Sequence, residues 1–370
     1  MKFLSILTIV FIPILVNAQF VQIHVKAENL QNEKLFLAGS FNGWSPDATP
    51  LKYNPFKKVW TVYIPVSKTN VEFKITKGSW ETVEVNRDGS DVKNHVIAGN
   101  FRGDVHITIE RFKSWPSAVK SSTAKGEIRI IENFPMPELK SKTTIRIYLP
   151  ETYSKDTQKR FDVIYMHDGQ NLFDKKTAAY GEWHVDETLQ ALTNGEKKFI
   201  VVGIDNTPNR LVVYNPYSNQ RFGAGRGEHY LQFIIKTLKP FIDSSFRTNS
   251  ANTSTTIAGS SMGGLISLYA VLKHGNVFAN AGVFSPSLWI ARPIFDLIKK
   301  EGKNFNGSIF LYAGTKESQG MIPDLNRAEQ YLQKYSKFNR LKKLIGTSEG
   351  HNEAAWAKAF KEFVQWLQVN

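Results

Sequence analysis

The stretch Thr255-Thr256-Ile257-Ala258-Gly259-Ser260-Ser261-Met262-Gly263-Gly264-Leu265 constrains the fold of this chain more than any other. A short apolar run leads into G-x-S-x-G, and a helix-forming run, Leu265–Tyr269, follows it. A serine held on a strained strand-to-helix turn leaves no room for side chains two residues before it and two after it. Gly259 and Gly263 meet that demand around Ser261. Ser260 cannot take the part, because Ala258 and Met262 would flank it. A helix starting at Met262 points its N-terminal dipole at the Ser261 oxygen. It also offers the Met262 backbone N–H as a donor to an oxyanion. Gly264 and the strand–turn–helix context add the specificity that the five-residue pattern lacks by itself.

The surrounding pattern suits such a turn. Dense apolar runs at Val163–Met166, Phe199–Ile204, Thr255–Ala258 and Ile309–Ala313 read as parallel strands buried on both faces, and Ile145-Ile147-Leu149 alternates. Helical periodicity lies between and after them, at Trp183–Leu192, Tyr230–Ile242, Met262–His274, Asn326–Tyr335 and Ala354–Leu367. Alternating β and α elements predict a doubly wound α/β domain with a mostly parallel sheet over residues 126–370. Residues 19–112 follow a different grammar. Short runs such as Val21-Ile23-Val25, Leu35-Leu37, Val59-Thr61-Tyr63, Val71-Phe73-Ile75 and Val105-Ile107-Ile109 are separated by Asn42-Gly43, Asn54-Pro55, Lys77-Gly78 and Asp88-Gly89. These predict a small all-β sandwich of the Ig-like kind. The polar stretch 113–125, with a proline, four serines and no periodicity, reads as the linker.

Residues 1–18 read as an address. Lys2 is followed by an apolar run and by Val16-Asn17-Ala18, with small residues at the two positions a signal peptidase reads. Cleavage is expected after Ala18, placing the mature protein in a secreted or periplasmic location. The run is too short to span ~30 Å of hydrocarbon as a helix, and no other stretch approaches its apolarity, so no integral membrane segment is expected in the mature chain. Cysteine is absent, which excludes disulfides, cysteine-ligated zinc or iron–sulfur centres and a cysteine nucleophile. The net charge of +14 reads as a solvated basic surface, and export argues against a nucleic-acid partner.

The partners of Ser261 follow by elimination. In α/β-hydrolases the chain order is serine, acid, histidine. Two of eight histidines follow Ser261. His274 stands at the end of the elbow helix, where a cation is expected. His351 follows Leu344-Ile345 and the turn Gly346–Gly350, where a loop after the last strand would carry a general base. Between them, Glu317 stands just past Ile309–Ala313 and is the favoured acid, with Asp324 the runner-up. Asp296, Glu301 and Glu329 read as solvated helix faces. A second oxyanion donor should come from Met166-His167-Asp168-Gly169-Gln170-Asn171, at the N–H of Gln170 or a neighbour. His167 and Asp168 read as loop-shaping and substrate-facing. Asp168, Asp205, Asn206, Arg210, Trp183 and Trp289 fall in or near loops at strand C-termini, where α/β sites form, and are candidates to line the pocket.

From about Ile128 onward the chain resembles the Putative esterase family of α/β-hydrolases, the group of esterase D, feruloyl esterases, enterochelin esterases and mycolyltransferases. The motifs that carry the resemblance are Met166–Gln170, Val202-Gly203-Ile204-Asp205-Asn206, Leu238–Asp243, Ala258–Gly264, Ser285-Pro286-Ser287-Leu288-Trp289 and Gly350-His351-Asn352, in that order. The resemblance implies Ser261 as nucleophile, His351 as base and Glu317 as acid, with Glu where some members have Asp. The N-terminal domain resembles glycogen- and starch-binding sandwich modules through Gly39-Ser40-Phe41-Asn42-Gly43-Trp44 and Phe73–Glu81. In that family exposed Trp residues stack on sugar rings, and Trp44 and Trp80 match their neighbourhoods. The alternative is local packing of both rings in a purely supporting sandwich, as in enterochelin esterases.

Together these readings imply a secreted serine carboxylic-ester hydrolase acting on a carbohydrate-linked ester, feruloyl or acetyl, without metal or cofactor. A siderophore esterase, an acyltransferase using the same residues with a sugar hydroxyl in place of water, and a catalytically silent sugar-binding protein are the competing readings. The expected partner is the ester substrate, as an oligosaccharide or polysaccharide.

Overall fold

The computed structural model describes residues 19–369 apart from 28–29, 31–32, 67, 114–120, 179–180, 193–196, 208 and 219–222. The expected signal segment 1–18 and most of the expected linker, 114–120, lie outside the described residues. The chain divides into two compact units, Met1–Ser117 and Ala118–Asn370. Among the described residues, no helix is long and apolar enough to cross a membrane.

The first unit is all β. Lys52–Asn54, Val59–Val66, Gln19–Ala27 and Val105–Ile109 form one sheet in that order, and Phe36–Gly39, Val71–Thr76 and His95–Ile97 form another. Val21, Ile23, Val25, Phe73 and Ile75 point inward, as their alternation predicts. Val59–Val66 departs from expectation by one residue. Trp60, Ile64 and Val66 are buried, whereas Tyr63 is 63% exposed. A one-residue shift exchanges the two faces of a strand, and the large apolar area of Trp60 selects the phase that buries it.

The second unit carries eight strands. In chain order they are β1 (Glu127–Met136), β2 (Ser141–Leu149), β3 (Asp162–His167), β4 (Phe199–Ile204), β5 (Thr255–Ser260), β6 (Asn280–Phe284), β7 (Ser308–Gly314) and β8 (Arg340–Gly346). The sheet order is β1-β2-β4-β3-β5-β6-β7-β8. β1 and β2 pair antiparallel, as do β2 and β4, and every later pairing is parallel. The principal helices are α1 (Val185–Ala191), α2 (Gly227–Phe233), α3 (Lys239–Ser245), α4 (Met262–Lys273), α5 (Ile294–Glu301), α6 (Met321–Tyr335) and α7 (Glu353–Gln368).

Two cores flank this sheet because consecutive strand residues point to opposite faces. Val163 and Tyr165 of β3 join Phe233, Leu265, Ile294 and Leu325 in one core. Ile164 and Met166 join Val185, Phe284, Phe360 and Phe363 in the other. This is the doubly wound, mostly parallel architecture expected of the region, and it is an α/β-hydrolase fold. Two strands have no strong sequence signal. β1 is an edge strand with mostly exposed side chains, so no apolar run marks it. β6 carries Gly282 at its centre, where a Cβ would stand 2.8 Å from the Phe363 ring. Close approach of α7 demands the glycine that weakens the strand pattern.

Candidate active site

Ser261 stands between β5 and α4 with φ 58° and ψ −116°, a backbone conformation that a non-glycine residue occupies only under local constraint. The constraint is visible beneath it. A Cβ on Gly259 would come 2.8 Å from His167 Cδ2, one on Gly263 3.2 Å from His167 Cβ, and one on Gly264 2.7 Å from the Phe284 carbonyl. The glycines are therefore demanded by the His167 ring and by β6. His167 itself is 2% exposed and faces the core rather than substrate. Its Nδ1 lies 2.8 Å from the Tyr230 hydroxyl and its Nε2 is buried without a partner. Burial pushes its pKa down to about 3, which leaves a neutral, space-filling imidazole.

The tip of the sheet brings together a second group. Glu317 lies in the turn after β7 with its side chain fully buried. One oxygen, Oε1, accepts from the Gly314 N–H and the Ser285 hydroxyl, both at 2.6 Å. The other, Oε2, is 2.6 Å from Nδ1 of His351. Ser285 in turn accepts from the Trp356 indole N–H at 2.9 Å, and the Trp356 ring stands edge-on to His351 with centroids 4.9 Å apart. Indole, hydroxyl, carboxylate and imidazole thus form one continuous chain. Asp324 lies elsewhere. It sits on α6 rather than in the loop, and its carboxylate pairs with Arg292.

Ser261 and His351 are each held, but separately. Ser261 Oγ lies 3.1 Å from Ser287 Oγ, and the Ser287 N–H donates to the Ser261 carbonyl at 3.0 Å. His351 Nε2 makes no hydrogen bond among the described residues. Catalytic hydrogen bonds are often long before substrate binds. The segment Ser285-Pro286-Ser287 therefore touches both halves, one serine on Glu317 and the other on Ser261. Ser285 has φ 43°, a further constrained position. Sequence reasoning left Ser285, Ser287 and Trp356 without individual roles. The first two stood out only inside a longer motif, and Trp356 is indistinguishable by periodicity from a core residue of α7.

The loop after β3 supplies the other wall. Asp168 takes φ 58° and Gly169–Asn171 form one 3-10 turn. A Cβ on Gly169 would meet the Gly203 carbonyl carbon at 2.7 Å, so glycine is required where this loop crosses β4. Gln170 and Met262 both stand in the first turn of a helical segment, where backbone N–H groups have no acceptor within the helix. Gln170 also accepts from the Asn206 N–H through its side chain at 3.1 Å.

The expected pocket-lining residues are mostly occupied with one another. Arg210 donates twice to Asp168, both contacts at 2.6 Å, and reaches the Ser260 carbonyl at 3.4 Å. Asn206 donates to Asp168 at 2.8 Å. Burial would raise the Asp168 carboxyl, but the Arg210 guanidinium and the Asn206 amide outweigh it and hold it below the usual carboxylate range. Asp205 accepts a bidentate pair from Arg146, at 2.7 and 2.9 Å. Trp183 is 3% exposed and packs on Trp356 and Phe284, so it is a core residue. Trp289 remains 43% exposed. His274 caps α4, and its Nε2 meets Glu228 at 3.0 Å. In the first unit, Trp44 and Trp80 are half-buried, their rings tilted against each other with centroids 6.2 Å apart. Asn42 staples the turn that carries Trp44 by bonding the Gly39 N–H, the Leu37 carbonyl and Thr49.

Comparison with known proteins gives this geometry a context. Residues 136–367 match the family described as Putative esterase. The uncharacterized protein YbbA of Bacillus subtilis is 26% identical over 236 residues, covering 60% of this chain and 90% of that protein. The endo-1,4-beta-xylanase/feruloyl esterase of Xylanibacter ruminicola is 25% identical over 230 residues, 60% of this chain but only 29% of that protein's length. Among solved structures, an IroE-like serine hydrolase from Shewanella oneidensis superposes with a TM-score of 0.53 at 24% identity, covering 65% of this chain and 79% of that one, a likeness of fold. The chain belongs to the Putative esterase family, and it is a hydrolytic esterase of the α/β-hydrolase fold.

Proposed function

We propose that the protein is a secreted serine carboxylic-ester hydrolase in which Ser261, His351 and Glu317 form the catalytic triad. The observation that supports this most is the buried Glu317 carboxylate, anchored on two donors and aimed at His351 Nδ1, beside a serine on a strained turn. Glu317 fixes the imidazole tautomer that leaves Nε2 free to accept a proton. On substrate binding, Ser261 Oγ leaves Ser287 for His351 Nε2. It attacks the acyl carbonyl as the proton passes to Nε2. The N–H groups of Met262 and Gln170 stabilise the tetrahedral oxyanion. His351 then protonates the leaving alcohol, and an acyl-enzyme remains on Ser261. Water, deprotonated by His351, releases the acid and restores the serine.

The substrate we propose is an ester attached to a carbohydrate, feruloyl or acetyl. The Xylanibacter ruminicola relative is named for feruloyl esterase and xylanase activities. The Trp44–Trp80 pair and the export segment 1–18 fit a protein that meets polysaccharide outside the cell. Hydrolysis of methyl ferulate measured beside methyl acetate, which share one leaving group, tests this. A feruloyl pocket is expected to give a kcat/KM about tenfold or more higher for the ferulate, and an acetyl pocket the reverse preference. Preference for a catecholate-siderophore ester, or acyl transfer to an added sugar in place of hydrolysis, would replace the carbohydrate-ester reading.

A further inference from the structure

A second acidic cluster lies outside the groups that touch Ser261, His351 or Glu317. Glu182, Asp186 and Glu187 occupy the turn into α1 and its first residues. Glu182 is 6% exposed and Asp186 is fully buried. The segment before β1 crosses over them. The Thr123 hydroxyl donates to Glu182 Oε2 at 2.8 Å, and the Lys125 backbone N–H donates to Asp186 Oδ2 at 2.5 Å. Each carboxylate keeps its second oxygen buried and unpartnered, Oε1 of Glu182 and Oδ1 of Asp186, and Oε2 of Glu187 is a third such atom.

A buried carboxylate is ordinarily paired with a cation; here Glu182 is buried and Glu187 beside it is half-buried. Among the described residues none of Glu182, Asp186 and Glu187 pairs with a lysine or arginine. The basic group in reach is His184, whose Nδ1 lies 3.5 Å from Glu182 and 3.3 Å from Glu187. One ligand atom each from Glu182, His184 and Glu187 fall within 4.8 Å of one another. Carboxylates buried without compensating charge are costly, and a bound cation removes that cost by satisfying the orphaned oxygens.

We propose that Glu182 and Glu187, with His184 at the rim, bind one divalent cation. The donor set is mainly carboxylate oxygen, which suits Ca²⁺ or Mn²⁺; participation of the imidazole would favour Zn²⁺. The cation has no part in ester hydrolysis. It ties residues 123–125 to the turn that carries Trp183, whose ring packs 5.7 Å from that of Trp356. Trp356 in turn anchors Ser285 and Glu317. The site therefore braces the acid end of the triad from behind.

The test is calorimetric titration and thermal unfolding of the full chain after EDTA treatment, with Ca²⁺, Mn²⁺ and Zn²⁺ added separately. At about a hundredfold excess over Kd, one of the three should raise Tm by about 5 °C or more. Glu182→Gln with Glu187→Gln should abolish the rise. His184→Ala should weaken Zn²⁺ binding and leave a Ca²⁺ response intact. If the double variant does not fold, Glu187→Gln alone, at a half-buried position, should lower the affinity about tenfold or more. Absence of heat and of any Tm shift with all three ions overturns the proposal, and so does a shift that survives removal of these carboxylates.

Discussion

Glu317→Gln is expected to lower kcat on p-nitrophenyl acetate by about 10³–10⁴-fold with little change in KM. The reason is geometric. Oε1 is fixed by Gly314 and Ser285, so the amide nitrogen of a glutamine falls where Oε2 now meets His351. An amide N–H there favours the tautomer that carries its proton on Nε2, and that tautomer cannot accept one from Ser261. Asp324→Asn should leave kcat within a few-fold, because Asp324 is bound to Arg292. Ser285→Ala should fall between the two. It removes one donor from the carboxylate and the acceptor of the Trp356 indole, while Gly314 still holds Glu317. Steady-state kinetics on the three variants check this order. Full activity in Glu317→Gln, or a large loss in Asp324→Asn, would contradict the assignment of the acid.

Arg210→Ala is expected to destabilise the second unit by about 3–5 kcal/mol, a Tm drop on the order of 10 °C. Its guanidinium provides both strong contacts to Asp168, which is 7% exposed. Removing it leaves a buried charge held by Asn206 alone. Asp168 opens the Gly169–Asn171 turn, and Arg210 also reaches the carbonyl of Ser260, so the oxyanion loop and the elbow should loosen together. Arg210→Lys should recover only part of the loss, since an ammonium cannot make the planar two-point contact. Differential scanning calorimetry decides between this role and direct substrate binding. A raised KM at unchanged Tm would make Arg210 a substrate contact.

Much of the site could be read from sequence because its demands are local. Gly259 and Gly263 mark Ser261 since a fixed ring, His167, fills the space their side chains would need. Chain order then singled out His351 and narrowed the acid to Glu317 or Asp324. Which of the two meets His351 is a three-dimensional fact. They stand seven residues apart, but α6 carries Asp324 to Arg292 while the turn after β7 presents Glu317 to the imidazole. The same limit applies to Asp168, Asn206 and Arg210. Their positions at strand C-termini suit pocket and scaffold equally, and only the folded chain reveals that they bind one another. Trp183 follows the same logic, since an aromatic in a loop can be a platform or a core residue, and here it packs on Trp356. In the fold, buried central strands announce themselves as apolar runs. The exposed edge strand β1 and the glycine-interrupted β6 do not.

The central claim is that Ser261 is the nucleophile. It is tested most directly by p-nitrophenyl acetate hydrolysis by the wild-type protein and by Ser261→Ala, with Tm measured on both. The account predicts a loss of about 10⁴-fold or more at unchanged Tm. Comparable turnover by the two proteins would contradict it and would place the chemistry on another group.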